Sequence, residues 1–414
     1  VINLWRFDEN VAGRHRLITG RMAVRDGFFG VMDVAPFLDA LQRPPRFRHV
    51  AVTSVFGDPR SARTWSGAPA NISAALERRG VRIDAIAPQI GRVAKLRVAL
   101  ADFLAGRGRP VSTEQVLRSL RARRHMAAQV ARETRRLGVH HVLHTGTLDL
   151  PAADIADGTK HYLYCDHTWS LARRHHINAA RYTESAMRAF EDAERQSLAG
   201  VTHVFTFGAY VRDNIIEHYG LSRDRVTAVG SGMGSIRPFQ GAKDYTRPRL
   251  LFVAKHLFQA KGGVLLLAAF ERALKRRPDL SLTIVGDGRS RRFVPPMRGV
   301  EFREHLPWEE LQRLYHESTL LVQPMLNDPW GQVYLEAMAS RTPVMGLARN
   351  GLPELVDGGR HGFLVDRADP DALADALVSA VSDPARLERM AEAAQRYVLG
   401  THSWDRVAER MLFS

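Results

Sequence analysis

LLVQPMLNDPWGQVYLEAMASRTPVMGLA, residues 320–348, reads as a strand, a loop, a helix and a second strand. LLVQPM is a short apolar run closed by a proline-bearing loop, YLEAMASR has the spacing of a buried helix, and TPVMGLA is again a short apolar run. Strands joined through a helix belong to a parallel sheet covered by helices on its faces. Asp328 falls in the loop after the first strand, and Gly331 opens the helix. The first N–H groups of a helix have no intrahelical partners and sit at its positive dipole end, so an anion is expected there.

The alternation extends on both sides. LLFVAKH (250–256) is a strand, GGVLLLAAFERALKRRP (262–278) a helix, LSLTIVGDG (280–288) a strand, WEELQRLYHEST (308–319) a helix and DALADALVSAVS (371–382) another. This is a doubly wound sheet of Rossmann character. Upstream, HVAVTSVF (49–56), PANISAALERRG (69–80) and VRIDAIAP (81–88) form a strand, helix, strand unit. HHVLHTG (140–146), HYLYCDHTW (161–169) and THVFTFG (202–208) supply further strands, each polar at its carboxyl end. The first 45 residues show no clean period. Gly, Pro and charged residues crowd the stretch from Gly230 to Pro248, which reads as a linker. The expected organisation is an N-terminal domain 1–235, a linker 236–248, a C-terminal domain 249–398 and a closing helical segment 399–414. The fold class is α/β, with two Rossmann-like doubly wound domains.

The chain has 414 residues and 45% hydrophobic composition, ample for two cores. No stretch approaches the roughly 18 apolar residues of a membrane span. The opening VINLWRFDEN is acidic where a signal peptide would be basic, and the single cysteine, Cys165, suits a reducing compartment. A cytoplasmic protein is expected. The net charge of +15 favours phosphates, acidic glycans or anionic headgroups as partners. Within the basic region 91–137, residues 120–138 place Leu120, Met126, Val130 and Leu137 against six arginines. That pattern suits a helix packed on its sheet with a solvated arginine face, and it also offers an anionic membrane surface or an acidic glycan as a peripheral contact. A basic nucleic-acid-binding protein is a weaker alternative, because no groove-reading motif accompanies the charge, and no nucleic-acid partner is expected. Asp369-Pro370-Asp371 looks superficially like a paired-aspartate metal signature, but it directly precedes a helix, where Asp caps N–H groups and Pro is tolerated. No metal and no cofactor are expected.

From about Leu250 to Trp404 the sequence resembles, in order, the retaining nucleotide-sugar glycosyltransferases of family four, the group 1 glycosyltransferases. The resemblance implies the GT-B architecture, two Rossmann-like domains facing each other across a cleft. It also implies the roles of the motif residues. Lys255 and Lys261 in LLFVAKHLFQAKGG would reach the donor diphosphate. Gly286 and Gly288 in LTIVGDG would let the backbone approach a ligand. NDPWGQVYLEAM matches the family's acidic pair separated by seven residues, with Asp328 standing where Glu is usual and Glu336 in the second position. Asp328 would contact the transferred sugar and Glu336 the ribose hydroxyls, with Trp330, Gly331 and Gln332 lining the donor site between them. NGLPELVDGG makes Glu354 a donor-site candidate beside Gly351.

The N-terminal half resembles the family more loosely. Ser66 and Gly67 match the loop before its first helix, where Gly67 would approach the donor. Ser66, His144, Asp166 and His167 are candidates on the acceptor and sugar side. Of these His167, with Asp328 and Lys261, is assigned to catalysis, and Glu194 is read as structural. The implied activity is metal-independent transfer, with retention, from a nucleotide sugar. UDP is slightly favoured over GDP, and a glycan, glycolipid or small molecule is the acceptor. A GT-B nucleotide-sugar epimerase is the alternative enzyme reading.

Overall fold

The computed structural model describes residues 44–105, 113–151, 158–175, 182–255, 257–304 and 306–414. The irregular lead-in read in the first 45 residues lies almost wholly outside them. In chain order the elements are β1 (His49–Thr53), α1 (Ala68–Arg78), β2 (Arg82–Ile86), α2 (Arg92–Leu104), α3 (Thr113–Arg118), α4 (Leu120–Leu137), β3 (His141–Thr145), β4 (Lys160–Cys165), α5 (Trp169–His175), α6 (Glu184–Ala199), β5 (His203–Thr206), α7 (Ala209–Glu217) and β6 (Val226–Ala228). After a stretch without helix or strand come β7 (Arg249–Lys255), α8 (Gly263–Arg276), β8 (Ser281–Gly286), α9 (Gly288–Arg291), β9 (Val300–Glu304), α10 (Trp308–Glu317), β10 (Leu320–Val322), α11 (Gln332–Ala339), β11 (Val344–Leu347), α12 (Leu352–Val356), β12 (Gly362–Val365), α13 (Pro370–Val381), α14 (Pro384–Thr401) and α15 (Trp404–Phe413).

The strands form two six-stranded sheets, ordered β2-β1-β3-β4-β5-β6 and β12-β11-β10-β7-β8-β9, and every neighbouring pair is parallel. Central strands such as His203–Thr206 and Val344–Leu347 are buried along their whole length, as sheets covered on both faces require. Each sheet has one place where the order reverses, between β1 and β3 and between β7 and β10. The crevice outside the carboxyl ends of strands at such a point is where open α/β sheets bind ligands. The loops after β7 and β10 carry Lys261 and Asp328.

Between β6 and β7 the Lys243 side chain pins the chain to the second half. The Lys243 ammonium donates to the carbonyls of Tyr315, Ser318 and Ser340 at 2.8–3.1 Å and to Thr342 Oγ1 at 2.6 Å. Burial among these neutral acceptors lowers its pKa to about 6. The last helix returns to the first: Asp405 on α15 pairs with Arg78 at 3.0 Å and Arg79 at 3.1 Å, both at the end of α1, and Glu409 lies 3.6 Å from Arg79.

Of the readings open for α4, packing on the protein's own core is the one the structure shows. Met126 and Val130 on α4 are buried in clusters beneath the first sheet, and Arg123 is buried with them beside Glu194. The apolar face of α4 covers the protein's own core, and its remaining arginines form a solvated face. Glu194 has the structural part read from the sequence, accepting from the Trp169 N–H at 2.7 Å and from the Tyr219 hydroxyl. Asp369 accepts from the Ala372 N–H at 2.9 Å and so caps α13.

Candidate functional site

The loop after β7 can lie against the loop after β10 only because residue 262 has no side chain. Gly262 has φ +85°, and a Cβ there would sit 2.0 Å from the Pro324 carbonyl oxygen. The two loops are stitched by the Leu326 and Asn327 N–H groups, which donate to Ala260 O at 2.9 and 2.8 Å. Lys261 is thereby held at Asp328, Nζ to Oδ2 2.8 Å, with the lysine buried. The other Asp328 oxygen accepts from the Trp330 N–H at 3.3 Å, closing a turn that leads through Gly331 (φ +76°) into α11. Gln332, at the start of α11, reaches Gly232 O at 3.5 Å. About one turn on, Glu336 is nearly buried, accepts from the Tyr315 hydroxyl at 2.7 Å and lies close against Gly234, whose absent Cβ would be 2.6 Å from Oε1.

Residues of the first half complete this wall. Tyr210 places its hydroxyl 2.7 Å from Asp166 O and 2.9 Å from Pro329 O, bridging the halves. Glu354 accepts from the Ala209 and Tyr210 N–H groups at 2.8 and 2.6 Å, so a carboxylate from the second half caps α7 of the first. Gly208 makes room: a Cβ there would lie 2.8 Å from the Trp330 ring and 3.0 Å from Glu354 Oε2.

Asp166 has its pKa raised to about 7, first by burial and then by the negative charge of Asp328 across the cleft. A carboxyl raised in the folded state keeps a proton that the unfolded chain releases between about pH 4 and 7. Stability from this group is therefore greatest at the acid end of that window and is lost as pH rises through it. Asp166→Asn should flatten that slope and stabilise the protein by about 1–3 kcal/mol at pH 8 relative to its effect at pH 4.5. Urea unfolding at the two pH values tests this, and an equal effect at both would remove the carboxylate pair from the account.

The remaining candidates divide. Trp65, Ser66 and Gly67 have φ of +43°, +55° and +82°, three successive left-handed residues whose chain runs directly into α1. Successive N–H groups in such turns make anion-binding concavities. Gly286 ends β8 against Ser290 and Phe302, and the following Asp287 caps α9 through the Ser290 N–H at 2.9 Å. His167 is half-buried two residues after β4, beside Asp166. Lys255 ends β7, and its side chain lies outside the described residues. His144 is corrected: it is wholly buried, with Nδ1 3.2 Å from Asp149 and 3.3 Å from Thr53 Oγ1, and Nε2 2.9 Å from His161 Nδ1. It braces the loop after β3 and presents nothing to a sugar. Glu354 is modified in the same sense, its carboxylate being held by α7. Tyr210, Gly208 and Tyr315 are contributors that the sequence reading missed.

Beside Asp328, enclosed by Met325, Trp330, Tyr334 and Asn350, the cavity measures only about 10 Å³. That is about the space of one water. A larger cavity of about 410 Å³ opens between the end of β2 and α4, lined by Ala85–Pro88, Gln129, Arg132 and Glu133. Its strand lies beside β1, one strand from the first sheet's reversal, but the cavity is lined by none of the candidate site residues, so size alone does not make it the site. Among the described residues no group of three or more His, Cys, Asp or Glu is placed to hold a metal ion.

Two doubly wound parallel sheets, with loops after β4 and β5 of the first meeting loops after β10 and β11 of the second, define a GT-B-type protein. Residues 247–383 match the family described as glycosyl transferases group 1, within the stretch that carries the motif resemblance. Glycogen synthase of Mycobacterium tuberculosis is 31% identical over 50% of this chain and 51% of its own length. D-inositol 3-phosphate glycosyltransferase of Corynebacterium urealyticum is 26% identical over 61% of this chain and 64% of its own length. The chain thus spans about half to two thirds of these curated relatives. The structure resembles sucrose-phosphate synthase from Thermosynechococcus elongatus, with a TM-score of 0.67, 17% identity and coverage of 88% of this chain and 97% of that one. Anabaena HepE, solved with UDP and glucose, gives a TM-score of 0.59 at 14% identity, covering 88% and 98%.

Proposed function

We propose that this chain transfers a glycosyl group from a nucleoside diphosphate sugar to an acceptor hydroxyl, with retention and without a metal ion. The observation that carries the reading is the buried Lys261 ammonium beside the opening of α11 at the β7/β10 reversal. Lysine and N-terminal N–H groups together neutralise a diphosphate. The donor's diphosphate takes Lys261 from Asp328. The released Asp328 carboxylate then accepts from sugar hydroxyls, and Glu336 from those of the ribose. The acceptor oxygen attacks C1 from the face the diphosphate leaves. The C1–O bond to phosphate breaks as the new C1–O bond forms, and the acceptor proton passes to the leaving phosphate oxygen. Catalysis lies in preorganised positive charge and in positioning, with His167 beside the transferred sugar.

Because the cavity at Asp328 is so small, donor entry requires the halves to part, exchanging the Glu354 cap and the Tyr210 bridge for ligand contacts. The preferred nucleotide is UDP over GDP, supported by the UDP bound to the HepE neighbour. A glycan, glycolipid or small molecule is the acceptor. A cytoplasmic setting is supported by the lone buried Cys165. Among the described residues no helix is long and apolar enough to cross a membrane.

Thermal unfolding with UDP, GDP, ADP and CDP, each with and without EDTA, tests the donor site. One diphosphate at about 100 times its Kd should add roughly 2.7 kcal/mol, unaffected by EDTA. Stabilisation by none, or only with a divalent ion, would sink the metal-free site.

A further inference from the structure

Helix α2 is built inside out. Its side toward the protein carries the small or polar Ala94, Ala99 and Asp102 with Val98, and Asp102 pairs with Arg121 of α4 at 2.8 Å. Its other side carries Val93, Leu96, Leu100, Phe103 and Leu104, each 55–76% exposed. Positions i, i+3, i+7, i+10 and i+11 form one stripe along a helix of 13 residues, about 20 Å long. Elsewhere among the described residues, large exposed apolar side chains occur singly: Phe56, Leu257, Val264 and Leu399. Scattered singles are ordinary on a protein surface, whereas a contiguous stripe marks a contact.

The charge around the stripe says what the contact is. Arg92, Lys95 and Arg97 lie on the same helix, and on the neighbouring α4 Arg121, Arg124, Arg132, Arg135 and Arg136 are exposed. Residues 91–137 hold twelve Lys and Arg against three Asp and Glu, so nine of the chain's fifteen net positive charges fall in this one segment. A bulky apolar stripe flanked by cations inserts at the boundary between headgroups and acyl chains of an anionic bilayer. A copy of the same positive surface is repelled.

We propose that α2 docks this protein on an anionic phospholipid surface, with its apolar stripe inserted and the arginines of α4 over the headgroups. This differs from the reading of α4 as the inserted helix, whose apolar face is spent on the core. It goes beyond the glycosyl-transfer reading and does not depend on it.

The test is flotation of the full chain with vesicles of phosphatidylcholine and phosphatidylglycerol in equal parts, and with vesicles of phosphatidylcholine alone. The wild type should float with the anionic vesicles and release as salt rises. Combining Leu96→Gln, Leu100→Gln and Phe103→Gln should abolish flotation. Combining Arg92→Gln, Lys95→Gln and Arg97→Gln should weaken it by roughly a hundredfold. Both variants should keep their circular dichroism and nearly wild-type melting temperature, since these side chains lie mostly in solvent. In Leu100→Trp, a blue shift of the new tryptophan on adding anionic vesicles reports insertion directly. Failure of the wild type to float overturns the proposal, as does flotation undiminished by the apolar triple variant. A wild type that is dimeric in light scattering and becomes monomeric in that variant also overturns it, the stripe then being a self-interface. None of these results bears on stabilisation by nucleotides, so this proposal and the donor-site reading fail separately.

Discussion

Replacing Lys261 by alanine is expected to lower kcat/KM for sugar transfer by a hundredfold to a thousandfold, the cost of removing one preorganised donor from a developing anion, about 3–4 kcal/mol. Nucleotide stabilisation should vanish with it. Among the described residues Lys261 is a cation whose position at the site is fixed by backbone: Gly262 forces the turn, the Ala260 carbonyl binds the partner loop, and the ammonium meets Asp328 at 2.8 Å. The variant also strands a carboxylate, because Asp328 would lose its counter-charge while still facing Asp166. Lys261→Met, which keeps the apolar stem, separates the two effects. Both variants should lose activity and nucleotide binding alike, and the alanine variant should be the less stable in urea. Asp328→Asn should raise nucleotide affinity, since the lysine is freed, yet lower turnover because the sugar loses its acceptor. Full activity in a folded Lys261→Met protein would overturn the diphosphate assignment.

These residues were legible because their chemistry is local in sequence. A strand, a short polar loop and a helix start within about a dozen residues carry Asp328, Gly331 and Glu336 together, and the geometry that the backbone imposes on them hardly depends on the rest of the chain. The central strands were legible for a similar reason, being continuous apolar runs. β6, β9 and β12 were not recognised: they are short edge or near-edge strands, and VEFRE and GFLV keep polar or half-exposed positions that blur a buried pattern. Contacts between the halves were invisible in kind. Nothing near Glu354 announces that it caps a helix 145 residues earlier, and Tyr210 looks like any helix-start aromatic until Pro329 lies beside it.

Two patterns left more than one reading open. The arginines of α4 suited either a membrane contact or a helix packed on its sheet, because helical spacing alone cannot say whether an apolar face meets lipid or the protein's own core. His144 stood at the end of a strand, where ligands gather, yet a polar residue there also serves to close the following loop, and Asp149 and Thr53 claim it. Strand ends are polar for both reasons, and only packing separates them.

Trp330→Ala is expected to have the largest effect on stability, a loss of about 3–5 kcal/mol. The ring is 4% exposed, lies edge-on to Phe207 at 6.0 Å and near His402 at 6.2 Å. It fills a slot floored by two glycines from different halves: a Cβ on Gly351 would be 2.4 Å from it and one on Gly208 2.8 Å. Removing it therefore opens a cavity where the halves meet, and it also loosens the turn in which its own N–H holds Asp328. The loss should be more than energetic. A ring shared by two folding units couples them, so its removal should split one cooperative urea transition into two, or lower the apparent m-value as the halves unfold out of step. Trp330→Phe keeps an aromatic in the slot and should keep a single transition with a smaller loss, about 1–2 kcal/mol. If Trp330→Ala unfolds in one step with an unchanged m-value, the halves are coupled by other contacts, of which α15 on α1 and the Glu354 cap are the next to remove.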